Sequence, residues 1–167
     1  MAVDMETVRA ALLPEEPEYA RAAKSLGPDA LPHLEKLITG GDTSLAAKAA
    51  YLAGMIGTEQ SEPAMRKAAA SGQPVVRIAA ASSARHLSDE HRDALVLQLI
   101  DDADPGVRKI ALRSAPATMS DALKARVTAL RAAPAPAPAK TAARKSAKPA
   151  KAKKKAAAKA APRKKRK

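Results

Sequence analysis

The chain contains no cysteine, no tryptophan and no phenylalanine, and only two tyrosines, Tyr19 and Tyr51. Without cysteine there can be neither a disulfide framework nor a thiolate metal site. Without large aromatics the core must be built from Leu, Val, Ile, Met and close contacts between alanines, which supply about one residue in four. That composition suits helices packed at short range, whereas a β-sandwich would draw on β-branched and aromatic residues. Any uncharged apolar run of transmembrane length is also missing; the best is ALVLQLI at 94–100. The N-terminal MAVDMETVRA has no charged segment followed by an apolar one and so does not read as a signal peptide. These absences predict a soluble, cytoplasmic protein.

Acid is absent from one end of the chain. Residues 132–167 carry 14 Lys or Arg and no Asp or Glu, leaving 16 basic and 17 acidic residues in 1–131. The formal net charge of +13 is therefore a body of −1 joined to a tail of +14. At 167 residues the expectation is one domain plus that tail, with the boundary near Arg131.

What is present in the body is a repeat. DTSLAAKAAYLAGMI (42–56), QPVVRIAAASSARHL (73–87) and DPGVRKIALRSAPAT (104–118) each begin 31 residues after the last. Leu45, Val76 and Val107 coincide, as do Ala49, Ala80 and Ala111, and then Ala53, Ala84 and Ala115. Small or apolar residues at i, i+4, i+7, i+8 and i+11 form one helical stripe. Asp42 and Asp104 are placed to cap first-turn N–H groups, and Pro74 and Pro105 stand where a missing N–H costs nothing. Between these segments Leu34, Met65, Val96 and Val127 recur at the same period, followed by Leu37, Ala68, Leu99 and Leu130. Each unit thus reads as helix, turn, helix. Residues 15–27 read as an earlier, degenerate second helix, and 4–13, capped by Asp4, as a terminal helix, giving roughly nine helices in all. Such units bury their stripes only by stacking, which predicts an all-α solenoid.

A turn Asp, then Val-Arg, then Ala-Leu, as in Asp104, Val107, Arg108, Ala111 and Leu112, resembles the HEAT-repeat signature. The near-31-residue unit is similar to the short HEAT-like repeats of phycocyanobilin lyases, with departures at Ala46, where Arg is expected, and Gln73, where Asp is expected. The resemblance implies an α-solenoid whose second helices line a concave face. It implies little about function, since that scaffold carries many unrelated partners.

Chemistry is poorly advertised in the body. His33, His86 and His91 show no metal-ligand spacing and no cysteine completes a set, so no metal and no cofactor is expected. Glu15–Glu16, Asp89–Glu90 and Asp101–Asp102 are read as helix-end pairs, the first two at helix N-termini, where they suit the dipole. The seven glycines form no phosphate-cradling pattern. Arg77 and Arg108 admit two readings: they reach a phosphate or acidic partner from the concave face, or, as the resemblance implies and as we favour, they pair with turn aspartates of adjacent repeats. Lys48, Lys109 and Arg113 are the other candidates for a concave binding face. HEAT-like DNA glycosylases need aromatics near the lesion, and with Tyr51 read as packing this chain supports base handling poorly. Bilin-lyase activity would rest on repeat similarity alone. The expectation is a protein that is not an enzyme.

The tail, APAPAPAKTAARKSAKPAKAKKKAAAKAAPRKKRK (133–167), uses only Ala, Pro, Lys, Arg, Ser and Thr. Its Pro-Ala pairs forbid a regular helix and read as a stiff spacer. Beyond them no Leu, Ile, Val or Met remains to build a core, so disorder is expected. In composition it resembles linker-histone tails. Lys140, Arg144, Lys145, Lys148, Lys151, Lys153, Lys154, Lys155, Lys159, Arg163, Lys164, Lys165, Arg166 and Lys167 are the candidate phosphate contacts for DNA or RNA. With no aromatic, Asn or Gln among them, nothing reads base edges. The sequence therefore predicts a HEAT-like adaptor whose solenoid binds a protein partner and whose tail binds nucleic acid without sequence preference. The place expected for it is the nucleoid in a bacterium or the nucleus in a eukaryote, without membrane insertion. The alternatives are a solenoid that itself binds nucleic acid on the concave face, and an enzyme of glycosylase or bilin-lyase type.

Overall fold

Aspartates and prolines start the helices where the repeat places them. A computed structural model describes residues 3–132, which form nine α-helices and, among the described residues, no strand. They are α1 (Met5–Leu12), α2 (Tyr19–Leu26), α3 (Leu31–Ile38), α4 (Thr43–Ile56), α5 (Glu62–Ala69), α6 (Pro74–Ser83), α7 (Asp89–Leu99), α8 (Pro105–Arg113) and α9 (Asp121–Ala132). Asp4 accepts from the Thr7 N–H at 2.7 Å and Asp42 from the Leu45 N–H at 3.0 Å. Asp104 takes both the Gly106 and Val107 N–H groups, at 2.8 and 3.0 Å. Gln73, which stands where the repeat wants Asp, gives α6 no side-chain cap.

The helices stack in two layers. α3 packs on α5, α5 on α7 and α7 on α9, with α1 against α3; in the second layer α2 packs on α4, α4 on α6 and α6 on α8. Each layer contributes one aligned column to the core. Leu34, Met65, Val96 and Val127 are 0–2% exposed in the first layer, and Ala49, Ala80 and Ala111 are fully buried in the second. Alanine columns let second-layer helices approach closely. At the α4–α6 contact even alanine is too large: a methyl group at Gly54 would lie 2.1 Å from Ser83 Oγ and 2.4 Å from its Cβ. The core therefore runs unbroken between the layers, as one-dimensional stacking requires.

Three expectations of helix extent are corrected. Glu15 and Glu16 do not open α2, which starts at Tyr19; Pro17 is buried in the connection and accepts the Tyr19 N–H. The segment expected to be helical over 73–87 tightens after Ser83 into a 3-10 turn, Ala84–His86. The last copy, expected over 104–118, stops at Arg113. Ala115 precedes Pro116, which disfavours continued helix, and Arg92 of α7 takes the free carbonyls of Ser114 and Ala115.

Candidate functional site

The five candidate cations of the body, Lys48, Arg77, Arg108, Lys109 and Arg113, all stand on second-layer helices, and the structure divides them into spent and available groups. Arg77 leaves α6 and crosses to the next repeat. Its Nε and Nη2 donate to the two oxygens of Asp102 at 2.7 and 2.8 Å, while Nη1 donates to the Ser71 carbonyl at 2.8 Å. Both side chains of this pair are largely buried, 14% and 9% exposed. The guanidinium holds the Asp102 carboxyl below the usual aspartate range, helped by the Asp104 N–H, and Asp102 in turn raises Arg77. Arg108, one period later, donates to the Asp102 and Ala103 carbonyls at 2.7 and 2.9 Å.

These contacts follow the 31-residue period. Arg77 to the Ser71 carbonyl and Arg108 to the Asp102 carbonyl are the same contact one repeat apart. The carboxylate that Arg108 would need lies at position 133, where the sequence has Ala. In the first copy Ala46 replaces Arg, and the matching turn position is Ser71 rather than Asp. Arg and Asp are thus lost together. Arg77 follows the turn-pairing reading. Arg108 does not, since it pairs with no carboxylate among the described residues and holds only the carbonyls of the turn before its own helix.

Lys48 is also engaged. Its Nζ donates to the Leu12 and Pro14 carbonyls, closing the C-terminal end of α1. Lys109 and Arg113, by contrast, are exposed on α8 and make no ion pair among the described residues.

Beside these cations the second layer presents an apolar groove of about 260 Å³, bounded by Tyr19 on α2, Ala47, Lys48 and Tyr51 on α4, and Val75, Ile78 and Ala79 on α6. Val75 is 48% exposed. The two tyrosine rings meet edge to face, centroids 4.7 Å apart, and the Tyr51 hydroxyl accepts from Arg85 Nη2 at 3.0 Å. Tyr51 therefore packs, as its sequence context suggests. Across the four helices of this layer every charged side chain is basic; none of α2, α4, α6 or α8 contains Asp or Glu. Sequence reading missed this because the body as a whole is balanced. The acids sit on the first layer and in the turns, where whole-chain arithmetic cancels them.

The first layer holds a second polar cluster that spacing alone did not flag. His91 Nδ1 lies 3.0 Å from Ser88 Oγ, and its Nε2 lies 3.7 Å from Glu62 of the preceding repeat. They border a pocket of about 360 Å³ with Met65, Leu87 and Leu95. Ser88 is also the N-cap of α7, accepting the His91 N–H, and Glu62 is shared with Arg66. Each polar atom thus already serves the ends or faces of helices. The Ser-x-x-His spacing was the available signal; Glu62 enters only through stacking. His33, in α3, lies against the N-terminal segment through Nε2 and the Val3 carbonyl at 3.1 Å. His86 is held below its ordinary value by burial and by neighbouring Arg85. Asp101 of the third acidic pair accepts a two-pronged contact from Arg126 of α9. No group of three His, Asp or Glu side chains converges on a metal-sized site among the described residues.

Among the described residues no helix is long and apolar enough to cross a membrane. The 14 candidate phosphate contacts of the tail, Lys140 to Lys167, lie outside the described residues.

No curated protein matches the chain. The family model for HEAT repeats matches residues 31–116, that is, α3 through α8 and the column of aligned alanines between them. With paired helices, two stacked layers and Asp-to-Arg staples from repeat to repeat, this chain belongs to the HEAT-repeat family.

Proposed function

We propose that this is a non-catalytic adaptor: the solenoid holds a protein partner, and the basic tail keeps that partner on DNA or RNA through phosphate contacts. The observation that carries the reading is the charge partition of −1 in 1–131 against +14 in 132–167. A linker-histone-like run of Lys, Ala and Pro with no aromatic and no amide is suited to phosphate contacts with counterion release and carries nothing that would read bases. HEAT repeats supply a scaffold rather than a chemistry. Joining the two raises the local concentration of the held partner on nucleic acid. In a bacterium this is a nucleoid-associated protein; in a eukaryote, a nuclear one.

Titration of a fluorescent duplex at rising salt tests the reading. With about 8 tail charges engaged, log K falls against log salt with a slope of about −7, a loss of roughly 10³–10⁵ between 50 and 200 mM. Truncation after Ala133 abolishes binding at moderate salt. A salt-independent affinity, or full binding by the truncated chain, overturns it. The all-basic second layer favours one rival, a solenoid that itself grips nucleic acid, and the truncated chain reports on that directly.

A further inference from the structure

We propose that the exposed face of the second layer docks an acidic segment of the protein partner, with apolar side chains in the groove over α4 and α6 and carboxylates over α8. This deepens the adaptor reading and rests on it. Three features of one surface point to this occupant.

The first is the groove itself. Val75, Ile78 and Ala79 from α6 and Ala47 and Tyr51 from α4 leave an apolar trough between neighbouring second helices. Val75 at 48% exposure is one of the few large apolar side chains left open to water. Exposed branched aliphatics in a groove gain by meeting apolar groups of a ligand.

The second is charge. No carboxylate belongs to α2, α4, α6 or α8. Of the three exposed cations on these helices without an ion pair among the described residues, Lys109 and Arg113 share α8 while Lys24 stands alone on α2. By the 31-residue register Lys109 follows Ile78 and Arg113 follows Ser82, so the apolar trough gives way to two exposed cations on α8. The acids of the α1–α2 connection, Glu15, Glu16 and Glu18, lie at the opposite end of the layer, since α2 and α8 are its outer helices. An occupant is therefore oriented as well as attracted. Arg77, Arg108 and Lys48 contribute little here, because turns and the end of α1 already hold them.

The third feature separates protein from nucleic acid. A phosphate backbone would use Lys109 and Arg113 but gain nothing from Val75 and Ile78. Unpaired bases would want open aromatic faces, yet Tyr19 and Tyr51 are packed edge to face against each other. Three adjacent helices span about 20 Å at ordinary packing distances. A helical segment of about 14 residues covers that length.

The test uses the full chain and two labelled 14-residue peptides of equal negative charge. One carries Glu with Leu at helical spacing; the other has Ser in place of each Leu. The Ser peptide reads the purely Coulombic attraction of the tail. The Leu peptide is expected to bind at least about tenfold more tightly, the worth of partly burying two leucines. It should shift the methyl resonances of Val75, Ile78 and Ile110. Val75→Glu, a change at an exposed position, and the double variant Lys109→Glu/Arg113→Glu should each erase the Leu advantage while leaving the melting temperature in place. Equal affinity for the two peptides overturns the proposal. So do methyl shifts confined to Met65 and Leu95 in the first layer, or displacement of the peptide from Val75 and Ile78 by a duplex oligonucleotide. Photo-crosslinkers placed at Val75 and at Gln98 in the source cells separate this failure from that of the adaptor reading. Protein adducts at Gln98 alone sink the docking face and keep the adaptor; protein adducts at neither position sink both.

Discussion

Gly54 and Ser83 set how closely two neighbouring repeats approach. Ser83 Oγ donates to the Ala79 carbonyl at 3.0 Å, so its side chain lies flat against its own helix and leaves a hollow that only glycine fits. Gly54→Ala would gain helix propensity, worth about 1 kcal/mol, but force the methyl into Ser83. Overpacking of that kind costs about 1–3 kcal/mol, so a net loss of stability is expected by chemical denaturation. Gly54→Ala with Ser83→Ala should recover part of it, because the hydroxyl is the nearer obstacle. Arg77 and Asp102 make the other residue-scale prediction. Asp102 titrates below its ordinary 3.8 in the fold because Arg77 donates to it. The stabilisation is complete above that ordinary value and is lost as the pH falls through the lowered folded-state value. Arg77→Ala should cost about 2–4 kcal/mol near neutrality, because it strands a largely buried carboxylate. It should also flatten the acid side of a stability–pH profile; a profile parallel to that of the parent protein would refute the assignment.

At the scale of the element, the helices differ in how well they begin. α1, α4 and α8 start on aspartates whose carboxylates meet first-turn N–H groups, whereas α6 starts on Gln73 with no such contact. The backbone at Gln73 is already extended, φ −97° and ψ 116°, close to the φ −82° and ψ 125° of Asp104. Gln73→Asp should therefore stabilise the protein by about 0.5–1 kcal/mol, read as a raised melting temperature. No change would mean that the α6 N-terminus is satisfied in another way. Elements also show where periodicity misled. The repeat carried the helical reading of the last copy through residue 118, but Pro116 and the reach of Arg92 ended α8 at Arg113. Pro116 was visible in the sequence; the guanidinium arriving from α7 was not.

At the scale of the whole molecule, the core runs from Val8 to Val127, so the truncation that tests nucleic-acid binding removes none of it. The truncated chain should keep its melting temperature while losing the duplex, which makes the loss attributable to charge rather than to unfolding. Stacked repeats contact only their neighbours, and the effects of Gln73→Asp at α6 and of changes on α9 should add. The two layers were readable from the two aligned columns, one led by Leu34 and the other by Ala49, because apolar spacing dictates which side of a helix must turn inward. The candidate docking face was only partly readable. Its missing carboxylates can be found by sorting residues by layer, but balanced totals of 16 basic and 17 acidic residues conceal them.

The sequence by itself determined the period of 31, the helix starts at Asp4, Asp42 and Asp104, and which residues point into the core. It did so because burial and capping depend on position along one helix. Only the tertiary structure decided which cations are free to meet a partner. Lys48, Arg77 and Arg108 are held by carbonyls and a carboxylate from other segments, while Lys109 and Arg113 face solvent. A long flexible side chain is committed by whatever the neighbouring repeat brings within its reach, and that depends on how the repeats stack.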